Sequence, residues 1–158
     1  MEFKVLERIL DNLPVMSIDG KDYTPTFNYG SELDMLKYLR LVRSEGKAYY
    51  PLIWVETPVV LTGDIFPSAD ITIILATLTN KDLSNRERIR LTFETTLEPL
   101  LENVISAIKS DKTASLISKD EQVLTKYFNY DTDSSSRTTE IWDAITFKCT
   151  IQFNLNCL

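Results

Sequence analysis

From Ile141 to Cys157 the chain alternates without a break. The odd positions are Ile141, Asp143, Ile145, Phe147, Cys149, Ile151, Phe153, Leu155 and Cys157, and the even ones are Trp142, Ala144, Thr146, Lys148, Thr150, Gln152, Asn154 and Asn156. Successive side chains of a strand point to opposite faces, so this pattern predicts one long β-strand with an apolar and a polar face. At about 3.3 Å per residue it spans roughly 50 Å, two to three times an ordinary strand. A strand of that length outruns the core of a small domain and is expected to pair or pack beyond one protomer.

The remaining pattern predicts how that strand is covered. Phe3, Leu6, Ile9-Leu10 and Leu13 recur at helical spacing over residues 2–13. Asp19-Gly20 is a hairpin-type turn signal in a loose hairpin or ordered loop running to Tyr29. Ser31 is a good N-cap, Glu32 and Asp34 suit the first turn, and Leu33, Leu36, Leu39 and Val42 form a stripe, so a helix is expected over 32–45. Tyr49 to Val55 reads as an aromatic, β-branched strand, and Val59-Val60-Leu61 as the start of a partner. Asp70 to Thr79 is apolar enough for burial on both faces. Residues 86–109 carry a continuous helical stripe, with Pro99 marking a kink or a helix start. Residues 110–118 read as a polar link, Val123 to Tyr130 as another strand, and Tyr130 to Thr139 as a polar loop. The order of elements predicts an α+β fold, a mostly antiparallel sheet packed against helices with a long C-terminal strand. With 158 residues the chain suits a single domain, 1–158, able to bury roughly 70% of its unfolded surface.

Composition narrows the function. The chain has no histidine, which removes Ser/His and Cys/His nucleophile pairs and the commonest metal ligand. Cys149 and Cys157 lack zinc spacing and, eight residues apart on one strand, lie roughly 26 Å apart, too far for the roughly 7 Å of a disulfide. Free thiols in a reducing compartment are expected. The four glycines form neither a P-loop nor a dinucleotide fingerprint. Apolar runs stop at about four residues, so no transmembrane helix is drawn, and Met1-Glu2-Phe3-Lys4 lacks the features of a signal peptide. A net charge of −6 argues against a surface that tracks phosphates.

Some carboxylate chemistry survives. Asp131-Thr132-Asp133 has the first spacing of a calcium loop, but Ser136 stands where glycine is needed and Trp142 where glutamate is needed. Asp143 lies on the apolar parity of the last strand, as a tuned acid or metal ligand would, or as the buried partner of Arg86, Arg88 or Arg137. Asp64 and Asp70 read as turn and strand-edge carboxylates. Arg86, Arg88 and Arg90 suit ion pairs within or between subunits better than nucleic-acid contact. Tyr49, Tyr50 and Trp54 fit a half-buried strand. Trp142 falls on the polar parity, so either a helix or a partner must cover it. Trp142, Tyr50, Arg86, Arg88 and Arg90 are the candidate oligomer-interface residues; no cofactor or metal is expected.

Four pieces carry a resemblance. They are Tyr50-Pro51-Leu52-Ile53-Trp54-Val55 with Pro58 soon after, Phe66-Pro67-Ser68-Ala69-Asp70 leading into a strand, an arginine-bearing helix running into Leu97-Glu98-Pro99-Leu100-Leu101, and a closing strand opened by Trp142-Asp143-Ala144. In layout the chain resembles the tail-completion and tail-terminator proteins of tailed bacteriophages. The resemblance covers about residues 49–158, and the first fifty residues have no counterpart in it. It implies a structural, non-catalytic virion protein that forms a homo-oligomeric ring at the head–tail neck or tail top. Such a ring would contact neighbouring neck, portal or tail proteins and let DNA pass without specific binding. It would reside in the virion, and in the host cytoplasm before assembly, with no membrane and no small-molecule substrate. The competing classes are a soluble interaction module or assembly chaperone, and a carboxylate-dependent metal enzyme built around Asp143.

Overall fold

A computed structural model describes residues 2–44, 51–117, 122–130 and 140–154. The chain is α+β, with helices on both faces of a curled mixed sheet. In chain order the elements are α1 (Glu2–Leu10), β1 (Met16–Ile18), β2 (Lys21–Tyr23), β3 (Thr26–Gly30), α2 (Glu32–Ser44), β4 (Leu52–Glu56) and β5 (Ser68–Asn80). There follow α3 (Asn85–Arg88), a π-helical segment (Ile89–Leu97), α4 (Glu98–Ser110), β6 (Ala114–Ile117), β7 (Val123–Tyr127) and β8 (Glu140–Phe153). The sheet runs β3-β4-β5-β8-β6, with β7 also on β8.

The long last strand is present, and its length is absorbed inside the chain. β5 is nearly as long and pairs with β8 from Ser68↔Gln152 to Asn80↔Glu140. On the other side of β8, β6 takes the stretch Thr150 to Phe153 and β7 the stretch Ala144 to Lys148. Strand length therefore gives no argument for a second protomer, which corrects that expectation.

Parity sorts the two faces. Ile53, Val55, Ile71, Ile73, Leu75, Ile145, Phe147, Ile151 and Phe153 meet Val5, Leu6, Ile9 and Leu10 of α1 and Phe93, Leu97, Leu100, Val104 and Ile108 of the long helical stretch. The opposite face, with Leu52, Trp54, Ile74, Ala76, Trp142 and Ala144, meets Met35 and Leu39 of α2. Burial on both faces is thus the rule for the central strands, as the run in β5 predicts. The stripe of α2 differs from the predicted one. Met35 and Leu39, one turn apart, are buried, whereas Leu33 is 60% exposed.

The second layer exists because β3 runs parallel to β4, from Thr26↔Leu52 to Gly30↔Glu56. Parallel neighbours need a crossover, and α2 supplies it, crossing above the sheet. Gly30 permits the closure. An added Cβ would stand 2.9 Å from the Trp54 ring, and the Trp54 indole N–H donates to the Gly30 carbonyl at 3.0 Å. The β1–β2 hairpin turns through Asp19 (φ 51°) and Gly20 (φ 74°), both left-handed, as a two-residue hairpin turn requires. Val59 to Leu61 form no strand; only the bridge Thr62↔Ser68 closes that loop.

Pro99 starts α4, directly after the π segment, which ends with the Glu98 N–H bonded to the Phe93 carbonyl five residues back. Proline has no N–H to lose at a helix start. At the other end of α4, Arg8 grips Asp111 through two N–H···O bonds, 2.8 and 3.1 Å, tying α1 to the turn before β6. The Arg8 hydrogen bonds, followed by those from Thr113, hold the Asp111 carboxyl well below the usual range. A depressed carboxyl stabilises the fold above its unfolded pKa near 4 and loses that contribution as pH falls below it. Asp111→Asn is therefore expected to lower stability above about pH 4 and to flatten the acid limb below it, so that the two proteins converge as the pH falls. An unchanged limb would mean that the pair does not contribute to acid unfolding.

Candidate functional site

Ser84 and Glu87 form a capping box at the front of the long helical stretch. The Glu87 N–H donates to Ser84 Oγ at 3.3 Å, and the Ser84 N–H donates to Glu87 Oε2 at 2.8 Å. That fixes the helix start, and one turn in Arg88 turns down onto the sheet. Its Nε donates to Asp143 Oδ2 at 2.9 Å, one Nη to Asp143 Oδ1, and the same Nη to Asn129 Oδ1 at 3.1 Å. Asn129, in the left-handed region at φ 55°, gives its backbone N–H to Asp143 Oδ1 at 3.1 Å. The guanidinium carbon lies 5.0 Å from the centre of the Phe128 ring, which meets Phe93 edge-on. Arg88 and Asp143 are both buried.

This arrangement decides between the two readings of Asp143. Both carboxylate oxygens are held by guanidinium or backbone donors, so the group is oriented and occupied. It joins helix start, β8 and the turn after β7, as a structural pin does. Arg88 is the arginine that Asp143 takes; Arg86 is exposed, and Arg137 lies outside the described residues.

The interface candidates separate accordingly. Trp142 is fully buried within the chain, under Met35 and Leu39, so α2 and not a second protomer covers it. Arg88 is internal. Arg86 and Arg90 are exposed and line a shallow groove with Glu87, Ile89 and Glu94, where the charges alternate in sign. Tyr50, Tyr49, Cys157 and the Asp131-Asp133 pair lie outside the described residues. Asp70 lies inside β5 rather than at its edge and accepts a hydrogen bond from Thr150 Oγ1 of β8 at 2.5 Å.

Cys149 is buried in the larger core, and burial pushes its thiol up to about 12. In a Cys157→Ser background it is expected to resist a thiol reagent at pH 8 until the chain unfolds. Rapid native labelling would contradict its placement.

Two features went unread in the sequence. Thr77 and Thr79 of β5 and Thr92 and Thr96 of the π segment are all buried, with Thr79 and Thr92 sharing a 3.0 Å hydrogen bond. With Ile18, Asp19 and Tyr23 of the hairpin, three of these threonines line a cleft of about 220 Å³. Their signal is threonine on a buried parity, beside Phe93 and Leu97. The other feature is apolar surface. Val123, Leu124 and Tyr127 of β7 are 42–49% exposed, and Tyr29 of β3 is 46% exposed. Val60, Ile65 and Phe66, between β4 and β5, are also exposed.

Among the described residues no helix is long and apolar enough to cross a membrane. No protein-family model matches the chain, and none of the curated proteins compared with it does.

Proposed function

We propose that this chain is a non-catalytic structural protein of a tailed bacteriophage, forming a homo-oligomeric ring at the head–tail neck or the tail top. The observation that carries the reading is the placement of exposed apolar side chains on two dissimilar edges of the sheet, Tyr29 of β3 and Val123, Leu124 and Tyr127 of β7. Unlike surfaces that must both be covered favour heterologous, head-to-tail contacts, which close into rings. The four pieces of the resemblance support it further, since their described residues include β4, the lead-in to β5, the arginine-bearing helical stretch and the start of β8. A structural role also suits Asp143, whose oxygens are engaged by Arg88 and Asn129. An acidic lumen would let DNA slide through without being held, in keeping with the net charge of −6.

One observation favours the second reading, a soluble interaction module or assembly chaperone: β8 is paired on both sides inside the chain over most of its length, so the core closes without a second copy. Negative-stain electron microscopy of the purified chain separates the two. Closed rings of about six or twelve copies with an open channel are expected. Uniform monomers at every concentration would favour the interaction module.

A further inference from the structure

The sheet has two outer edges of equal length and different sequence. β3 and β7 each contribute five residues and lie at opposite sides of the strand order. Their directions follow from the pairings. β3 is parallel to β4, β4 antiparallel to β5, β5 antiparallel to β8, and β8 antiparallel to β7. If β5 points up, β4, β3 and β8 point down, and β7 points up. A second copy set beside the first in the same orientation therefore presents β3 antiparallel to β7.

The side chains agree with that placement. Leu124 and Lys126 pair with Phe147 and Ile145, and so lie on the face covered by α1 and α4. Phe27 and Tyr29 pair with Ile53 and Val55 on the same face, with Tyr29 stacked on Phe3 of α1 at 4.6 Å. Full overlap of the two strands sets Leu124 opposite Tyr29 of the next copy and Lys126 opposite Phe27. Parity allows this register, and a slip by one residue would put apolar against polar faces. The Thr26 N–H and the Gly30 carbonyl are bonded inwards, to Pro51 and Thr57, so the outward backbone groups of β3 belong to Phe27 and Tyr29. In the single chain the outward N–H of Tyr29 is held by Asn28 Oδ1 at 2.8 Å. The joint would exchange that local bond for a strand carbonyl, a nearly neutral trade, and add the burial of Leu124 and Tyr29.

We infer that neighbouring copies join by pairing β7 of one antiparallel to β3 of the next, extending one sheet from copy to copy. This inference rests on the proposed self-assembly and specifies its contact. The occupant is a second copy because one chain carries both edges, matched in length, direction and parity. A symmetrical β7–β7 pair would bury one edge and leave Tyr29 of β3 exposed on both partners, which the head-to-tail joint does not.

The test is an oxidised cysteine pair in the full chain with Cys157→Ser. Leu124→Cys and Tyr29→Cys lie on opposite sides of the sheet, four strand spacings or roughly 19 Å apart, too far to bridge within one molecule. Together they are expected to yield a covalent ladder rising to the ring size, while either one alone does not. As a fold-independent control, Leu124→Lys or Tyr29→Glu should each raise the assembly concentration by about tenfold or more, and their combination between copies should restore it. If the native chain forms rings but the ladder and the charge rescue both fail, the joint is wrong and the ring reading stands. If Leu124→Cys with Lys126→Cys gives covalent dimers instead, the edge pairs with itself. A chain that never assembles overturns both readings.

Discussion

Asp143→Ala is expected to lower the free energy of unfolding by about 3–5 kcal/mol, because it leaves the buried Arg88 guanidinium without its counter-charge. Arg88 is fixed by the capping box and by the Phe128 ring, so it has little freedom to reach solvent. Arg88→Met should be comparably harmful, since it strands the carboxylate. The double variant Arg88→Met/Asp143→Ala should lose less than the sum of the two, with a coupling of roughly 2 kcal/mol or more. Full recovery is not expected, because Asn129 would then lose an acceptor for its N–H and a donor to its side chain. Urea unfolding of the four proteins measures this cycle. A loss of less than about 0.5 kcal/mol for Asp143→Ala would put the pair in solvent-like surroundings and reopen Asp143 as a site for chemistry.

Trp142→Ala should cost about 3–5 kcal/mol, the range for truncating a large aromatic in a closed core. The effect should appear in the dilute monomer, since Met35 and Leu39 of the same chain supply the packing. A second readout separates this from burial by a partner. With Trp54 replaced by phenylalanine, acrylamide should quench Trp142 poorly at all protein concentrations. Quenching that is strong when dilute and weak when concentrated would instead place Trp142 in a contact between copies.

Trp142 also marks where the sequence ceased to be legible. The alternation from Ile141 to Phe153 gave the strand and set Asp143 on the buried side, from which a partner arginine follows by the physics of burying a charge. The same alternation puts Trp142 on a polar face with threonine, lysine and glutamine, and leaves open whether a helix or a partner covers it. That face is covered only because β3 is parallel to β4 and forces α2 across it. β3 is five residues of Thr-Phe-Asn-Tyr-Gly behind Pro25, an edge strand with one side open, and such strands carry little apolar pattern. A loose hairpin or ordered loop there places nothing of α2 over the sheet. Likewise Ala114 to Ile117 is too short to show a period, and read as a link although it extends the edge of β8. The long helical stretch is plain and Pro99 reads as a kink or a helix start, of which the structure shows the start, whereas the π-helical backbone of Ile89–Leu97 leaves no periodic signal distinct from an α-helix. The edges proposed for assembly are a property of strand order and direction, which only the assembled sheet reveals.

Mass measured in solution over a wide concentration range tests the central proposal most directly. A switch from monomer to one discrete multiple, without an accumulating dimer, is the result expected of a closing head-to-tail contact. A mass that stays at 18.1 kDa throughout, or stops at two copies, would contradict it.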